Sequence, residues 1–94
     1  MKKEVICFLA LEWCRSSRKM SYVFENVSHT NLSNKFQFTH LDVETHKGVD
    51  MSCKYDVKNV PTTIILKDGK EIGRIKGYRD EKELTEELKK YERR

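Results

Sequence analysis

Two kinds of hydrophobic pattern follow one another along the chain, and their order constrains the fold more than any other feature. Val5 to Leu11 is a continuous apolar run, which is typical of a strand buried on both faces. From Arg15 the spacing changes to i, i+3, i+4 and i+7, which predicts an amphipathic helix that buries Met20, Val23, Phe24 and Val27. A loop is predicted at Asn31 to Asn34, and Phe36 to Val43 then returns to a strand pattern. Two strands joined through a helix should be parallel, with a right-handed crossover.

The second half of the chain predicts a helix and then a hairpin. A short helix should cover Lys47 to Tyr55. The β-branched segment Thr62 to Leu66 is predicted to be a strand, and Asp68-Gly69 is a strong signal for a tight hairpin turn. The returning strand is predicted at Glu71 to Lys76. Its apolar residues are three apart rather than two, so Gly73 is expected at a β-bulge.

A final helix completes the predicted order β-α-β-α-β-β-α. It should begin after Asp80, whose side chain can cap it together with Glu83. Its buried stripe is expected at Leu84, Leu88 and Tyr91. The length of 94 residues supports a single domain over residues 1–94. The fold class is therefore α/β, with a mixed four-stranded sheet flanked by helices.

The residues that point to chemistry lie where the first strand gives way to the first helix. Cys14 is placed at the helix entrance, where unpaired backbone N–H groups and the positive end of the helix dipole favour a thiolate over a thiol. Ser17 is one helical turn further on, so its hydroxyl can donate a hydrogen bond to the sulfur. We expect Arg15 to add a positive charge with the same effect. The pattern therefore favours a reactive Cys14 over an inert one.

Four motifs follow one another along the chain, namely Phe8-Leu9-Ala10-Leu11-Glu12-Trp13-Cys14, Val60-Pro61-Thr62, Lys67-Asp68-Gly69-Lys70 and Gly77. In these motifs and in their order, the sequence resembles the thioredoxin family. The helix after Cys14 and the stretch Leu41-Asp42-Val43-Glu44 are similar to bacterial thiol:disulfide interchange proteins. The resemblance covers Val5 to about Tyr91. It implies a thioredoxin-like fold without the N-terminal strand and helix of full-length thioredoxins.

The resemblance also implies a substrate-docking surface around the thiol. Pro61 matches a cis-proline that lies beside the active-site cysteine in the family, and Val60 would offer its backbone to an extended substrate segment. Trp13 and Gly77 would lie on the same surface. From the residues alone, Pro61 fits an ordinary turn before a strand equally well.

The chain departs from the family pattern at three positions. The second cysteine of dithiol members corresponds to Ser17, so Cys14 has no partner within the motif. Phe8 stands where thioredoxins bury an aspartate that relays protons, and His40 stands where they carry a neighbouring lysine. His40 is a candidate proton acceptor near neutral pH, although a structural role for a single histidine is more common.

Two other cysteines bear on how Cys14 could be resolved. Cys7 lies within the first predicted strand, too far along it for a disulfide with Cys14. Cys53 falls on the predicted short helix, where a buried packing role is favoured and a resolving role stays open.

These features predict a monothiol thiol-disulfide oxidoreductase or isomerase that forms a mixed disulfide through Cys14. Its substrates would be protein disulfides or glutathionylated proteins, with glutathione as a co-substrate and no other cofactor. One alternative is a redox-inactive thioredoxin-fold module that keeps only a peptide-binding groove. Another is a dithiol thioredoxin whose second active-site cysteine has been engineered to Ser17.

Several other function classes are disfavoured. No stretch of the chain has the length of apolar sequence that a membrane helix needs. The net charge is +4, but acids and bases are interspersed, so Arg15, Arg18 and Lys19 are expected to form a solvated face rather than a nucleic-acid site. The cysteines and histidines lack zinc-type spacing, so no metal is expected. We expect a monomer in the cytoplasm, because the odd cysteine count fits a reducing compartment and the apolar run is short for a signal peptide.

Overall fold

A four-stranded sheet with helices on both faces organises the chain in the computed structural model, which describes residues 2–94. The strands are β1 (Lys3–Leu9), β2 (Phe36–Asp42), β3 (Thr62–Lys67) and β4 (Lys70–Lys76). Their order across the sheet is β2-β1-β3-β4. β1 is parallel to β2, whereas the β1–β3 and β3–β4 pairs are antiparallel. The predicted mixed sheet is therefore confirmed.

The helices are α1 (Arg15–Ser28), α2 (His46–Lys54) and α3 (Glu81–Lys89). The prediction that Asp80 begins the last helix is confirmed by a complete capping box. Glu83 N–H donates to the Asp80 carboxylate over 2.8 Å, and Asp80 N–H donates to the Glu83 carboxylate over 3.0 Å. Within residues 2–94, no helix has the length and apolar composition that crossing a lipid bilayer requires.

The predicted ends of α2 and of β2, β3 and β4 agree with the structure to within one residue, whereas two other predictions differ more. β1 begins and ends two residues earlier than its apolar run, because backbone pairing extends to Lys3 while Ala10 to Trp13 form a turn. The predicted loop at Asn31–Asn34 is instead one turn of 3₁₀ helix. Leu32 N–H donates to the Thr30 hydroxyl, and the Leu32 side chain is buried. The hydrogen bond and the burial of this one apolar side chain stabilise the turn.

The sheet separates two apolar layers. The larger layer lies beneath α1 and α3 and includes Val5, Met20, Phe24, Ile65 and Leu84. The smaller layer lies on the side of α2, where Ile6, Phe8, Ile64 and Leu66 pack against partly buried residues that include Met51 and Val60. Successive residues of β1 alternate between the two layers, which is why its sequence is apolar without interruption.

The β-bulge predicted in the returning strand is present. Ile65 pairs with Gly73 and Leu66 with Glu71, so Ile72 has no partner across the ladder. A side chain at Gly73 would collide with the ring of Tyr91, which follows the end of α3. Tyr91 is therefore part of the packed surface, as expected, although it lies beyond the helix rather than on it.

Candidate active site around Cys14

Cys14 is the residue that caps the N-terminus of α1. Its backbone is extended, with φ −111° and ψ 109°. Its N–H donates to the Ala10 carbonyl over 3.0 Å, and its own carbonyl accepts from Arg18 N–H over 3.2 Å. These two bonds fix the turn that joins β1 to α1. The thiol is partly exposed, so a substrate can reach it.

Ser17 connects the sulfur to the buried backbone of the turn. The Ser17 side chain is fully buried, and its Oγ accepts a hydrogen bond from Ala10 N–H over 3.0 Å. The hydroxyl hydrogen is then free to donate to the Cys14 sulfur. This hydrogen bond is the main reason that the pKa of Cys14 is lowered, and the backbone N–H groups of Ser17 and Ser16 lower it further against an opposing effect of burial.

The cation that acts on the thiol is Arg18, and the expectation that Arg15 supplies it is wrong. The positive charge of Arg18 contributes to the lowered pKa of Cys14. Its guanidinium donates to the carbonyls of Leu11 and Glu12 over 2.8 and 3.2 Å, which holds it against the turn. Helical side chains lean towards the N-terminus, so a residue four positions after the cap lies over the first turn. The spacing of four residues between Cys14 and Arg18 is the sequence signal that could have identified Arg18.

A second segment reaches the thiol from across the fold. The Val60–Pro61 peptide bond is cis, and the Val60 carbonyl oxygen lies 3.9 Å from Cys14 Sγ. Gly77 N–H donates to the Pro61 carbonyl over 2.8 Å, and its φ of +90° is favourable only for glycine. The structure thus brings Val60, Pro61 and Gly77 together beside Cys14.

Trp13 lies next to Val60. Its side chain is 63% exposed, which is unusual for the largest apolar residue type. Together with Val43, Val57 and Val60 it lines a cavity of about 290 Å³. Trp13 and Val60 thus line one cavity, and Val60 is also the residue whose carbonyl oxygen lies near Cys14 Sγ.

Of the remaining candidate residues, two are exposed and two are fully buried. His40 is exposed on β2, in register with Cys7 of β1. Phe8 is fully buried in the layer beneath α2, so an apolar side chain occupies the place of the aspartate that the resemblance implies. Burial raises the pKa of Cys7 to about 12, against a smaller lowering by a hydrogen bond with Thr63. Cys53 is exposed on α2, so the expectation that it packs in the interior is wrong.

Metal-ligating side chains do not cluster in the described part of the chain. Across residues 2–94, no group of three or more His, Cys, Asp or Glu residues is placed to hold a metal ion.

The mixed sheet, its two helical layers and the thiol at the entrance of α1 define a thioredoxin-like α/β protein. The family model described as thioredoxin matches residues 1–90, and the chain therefore belongs to the thioredoxin family. It is 31% identical over 88 residues to the thioredoxin of Mycoplasmoides gallisepticum, an alignment that covers 94% of this chain and 83% of that protein. It is 28% identical over 79 residues to the thioredoxin of Staphylococcus aureus, covering 84% of this chain and 73% of that one.

Comparison with solved structures also finds thioredoxins. The chain superimposes on the thioredoxin of Malassezia sympodialis with a TM-score of 0.83 and 26% identity, covering 97% of this chain and 76% of that structure. For the thioredoxin of Fasciola hepatica the TM-score is 0.79 at 28% identity, with 95% of this chain and 80% of that structure covered. The predicted thioredoxin-like fold is confirmed.

Proposed function

We propose that the protein is a monothiol thiol-disulfide oxidoreductase or isomerase that forms a mixed disulfide through Cys14. One observation carries this proposal: a partly exposed thiol has its pKa lowered by the hydroxyl of Ser17, which is itself fully buried and held by Ala10 N–H. A lowered pKa increases the thiolate fraction at neutral pH, and the thiolate is the nucleophile in disulfide exchange.

In the first step the Cys14 thiolate attacks one sulfur of a substrate disulfide. A bond forms between Cys14 and that sulfur, the substrate S–S bond breaks, and the other substrate sulfur leaves as a thiolate. Because Cys14 attacks in its ionised form, this step needs no separate base. His40, exposed on β2, is therefore not needed as a proton acceptor in this step.

In the second step a thiolate from outside the motif must release the enzyme. Ser17 has no sulfur, and the fully buried Cys7 with its raised pKa is both inaccessible and protonated. The substrate's own second thiol can attack the mixed disulfide, which regenerates Cys14 and isomerises the substrate. Glutathione can attack instead, and this would support removal of glutathione from glutathionylated proteins. Cys53 is the one other exposed thiol in residues 2–94, and it lies on α2.

The substrate would dock on the surface formed by Trp13, Val60, Pro61 and Gly77. The Val60 carbonyl is close enough to the sulfur to bond the backbone of an extended segment that carries the target disulfide. The exposed indole of Trp13 would cover the apolar side chains of that segment.

The pH dependence of Cys14 alkylation tests this proposal. The measurement uses a Cys53→Ser background, and Cys14→Ser in that background is the matched control. We expect a reactivity midpoint below that of a free cysteine, about 8.5, and a mixed disulfide with oxidised glutathione detected by mass. A midpoint at or above that value, with no mixed disulfide, would identify a redox-inactive peptide-binding module instead.

A second variant addresses the dithiol alternative. Ser17→Cys places two thiols at the entrance of α1. The assay measures how much each protein accelerates the reduction of a protein disulfide by dithiothreitol. If the monothiol proposal holds, the unaltered protein isomerises a scrambled disulfide substrate and Ser17→Cys adds net reduction. If only the Ser17→Cys variant is active in either assay, the chain is a dithiol enzyme that lacks its second sulfur.

A further inference from the structure

A groove along α1 is lined by residues that flank Cys14 in the sequence. Its volume is about 530 Å³, and it is lined by Leu11, Arg15, Arg18, Lys19, Ser21 and Tyr22. Tyr22 is 73% exposed, more than any other large apolar residue among residues 2–94. The groove thus combines three cations with an uncovered aromatic ring.

The cations of this groove are not neutralised within the fold. In the part of the chain that the structure describes, ion pairs join Lys58 to Asp56, Arg74 to Glu71 and Lys90 to Glu87. None of the groove cations has a carboxylate within 4.0 Å in residues 2–94. The groove is therefore a positive surface without an internal counterion.

The three cations are held differently. Arg18 is bound to two carbonyls of the turn, and the Lys19 ammonium lies 5.0 Å from the centre of the Tyr78 ring. Arg15 is exposed. Arg18 lowers the pKa of Cys14, whereas Arg15 and Lys19 are not among the groups that shift it. Arg15 and Lys19 can therefore be changed without removing a known contribution to the thiolate.

The groove follows α1 away from the sulfur. Tyr22 is eight positions after Cys14, which corresponds to about 12 Å along the helix axis. An extended peptide advances about 3.3 Å per residue, so three to four residues would reach from the reactive sulfur to the far end of the groove. A small anion would fill only part of that length.

We propose that this groove binds an acidic segment of the disulfide substrate, with Asp or Glu two to four residues from the cysteine that Cys14 attacks. The carboxylate would lie between Arg15 and Lys19, and the apolar stem of the segment would pack on Leu11 and Tyr22. The inference rests on the proposed exchange at Cys14 and adds to it the class of substrate. It assigns a binding role to residues whose pattern alone predicts a solvated face.

The test measures how fast Cys14 exchanges with short peptides activated as 2-thiopyridyl disulfides, from the absorbance of the released thiopyridone. Three peptides carry Glu, Gln or Lys three residues after the cysteine, and three more carry the same residues before it. We expect the Glu peptide to react fastest in one of the two arrangements. A single charge pair about 7 Å apart in water changes a rate about threefold, so Glu and Lys should differ by about tenfold at low salt.

Two charge variants localise the effect. Arg15→Glu with Lys19→Glu should invert the order of the Glu and Lys peptides, with each rate expressed relative to that of the Gln peptide on the same variant. Lys67→Glu with Lys70→Glu, on the exposed hairpin, changes the net charge equally, from +4 to zero, and should keep the preference. For the unaltered protein the preference should disappear in about 1 M salt, where the screening length is about 3 Å.

The outcomes separate the two proposals. If no peptide reacts, the exchange at Cys14 fails. If all peptides react equally, the exchange stands and the groove proposal is overturned. If Glu raises the exchange rate equally before and after the cysteine, the peptide is attracted by net charge alone and the groove proposal is overturned. The same conclusion follows if both charge variants lose the preference for Glu to the same extent. The salt series on the unaltered protein decides the matter if a charge variant does not fold.

Discussion

Replacing Ser17 with alanine separates the structural role of its hydroxyl from its effect on the thiol. Ser17 and Ala10 are both fully buried, and Ala10 N–H donates to Ser17 Oγ over 3.0 Å. Ser17→Ala leaves that N–H unpaired, which should lower the free energy of unfolding by about 1–3 kcal/mol. For a domain of this size, each kcal/mol corresponds to a fall in melting temperature of about 4–8 °C. This loss should be present at every pH.

A second contribution should depend on pH. Because the pKa of Cys14 is lowered in the folded state, the thiolate adds stability that is complete above about 8.5, the ordinary pKa of a free cysteine. That stability is lost as the pH falls through the lowered pKa. The difference in stability between the unaltered protein and Ser17→Ala should therefore grow as the pH rises towards about 8.5. Cys7, with its raised pKa, has the opposite slope above that pH in both proteins and cancels in the comparison.

The measurement is urea unfolding followed by far-ultraviolet circular dichroism, with a reductant present, at a series of pH values. Ser16→Ala, at an exposed neighbour, is the matched control and should change little. In a Cys14→Ala background, Ser17→Ala should cost only the pH-independent part. A difference that stays constant with pH would refute the claim that the hydroxyl stabilises the thiolate. If Ser17→Ala leaves the free energy of unfolding unchanged, the claim that the unpaired Ala10 N–H is costly is wrong.

Three other results are expected. Iodoacetamide should modify Cys14 in the folded protein but Cys7 only in denaturant, because Cys7 is fully buried with a pKa near 12; equal labelling measured by mass would contradict the packing. Asp80→Ala should cost about 1 kcal/mol of unfolding free energy through the lost cap, with Asp80→Asn close to neutral in the same urea assay. Gly48→Ala should lower the free energy of unfolding by about 1–3 kcal/mol, because the new Cβ would collide with the Asp42 carbonyl. Alanine favours helices, so a raised melting temperature would show that α2 can shift to avoid the collision.

Local signals account for what could be predicted about the fold. The uninterrupted apolar run, the helical spacing that follows it and the Asp68-Gly69 turn each depend on residues within one element. They were sufficient for the element order and for the mixed sheet. The start of β1 was misplaced because hydrogen bonding to β2 continues past the apolar residues to Lys3, and its end was misplaced because the apolar residues after Leu9 belong to a turn. Hydropathy reports neither backbone pairing nor a turn.

The sequence by itself determined that Cys14 stands at a helix entrance with a hydroxyl one turn away, because both facts follow from the spacing of neighbours. Only the tertiary structure decided what surrounds that sulfur. Val60 comes from 46 residues further along the chain, and β3 brings it to the thiol by pairing with β1. The choice of Arg18 over Arg15 likewise depends on carbonyls that the turn exposes after folding. Contacts between distant segments arise from packing across the sheet, and no local pattern contains them.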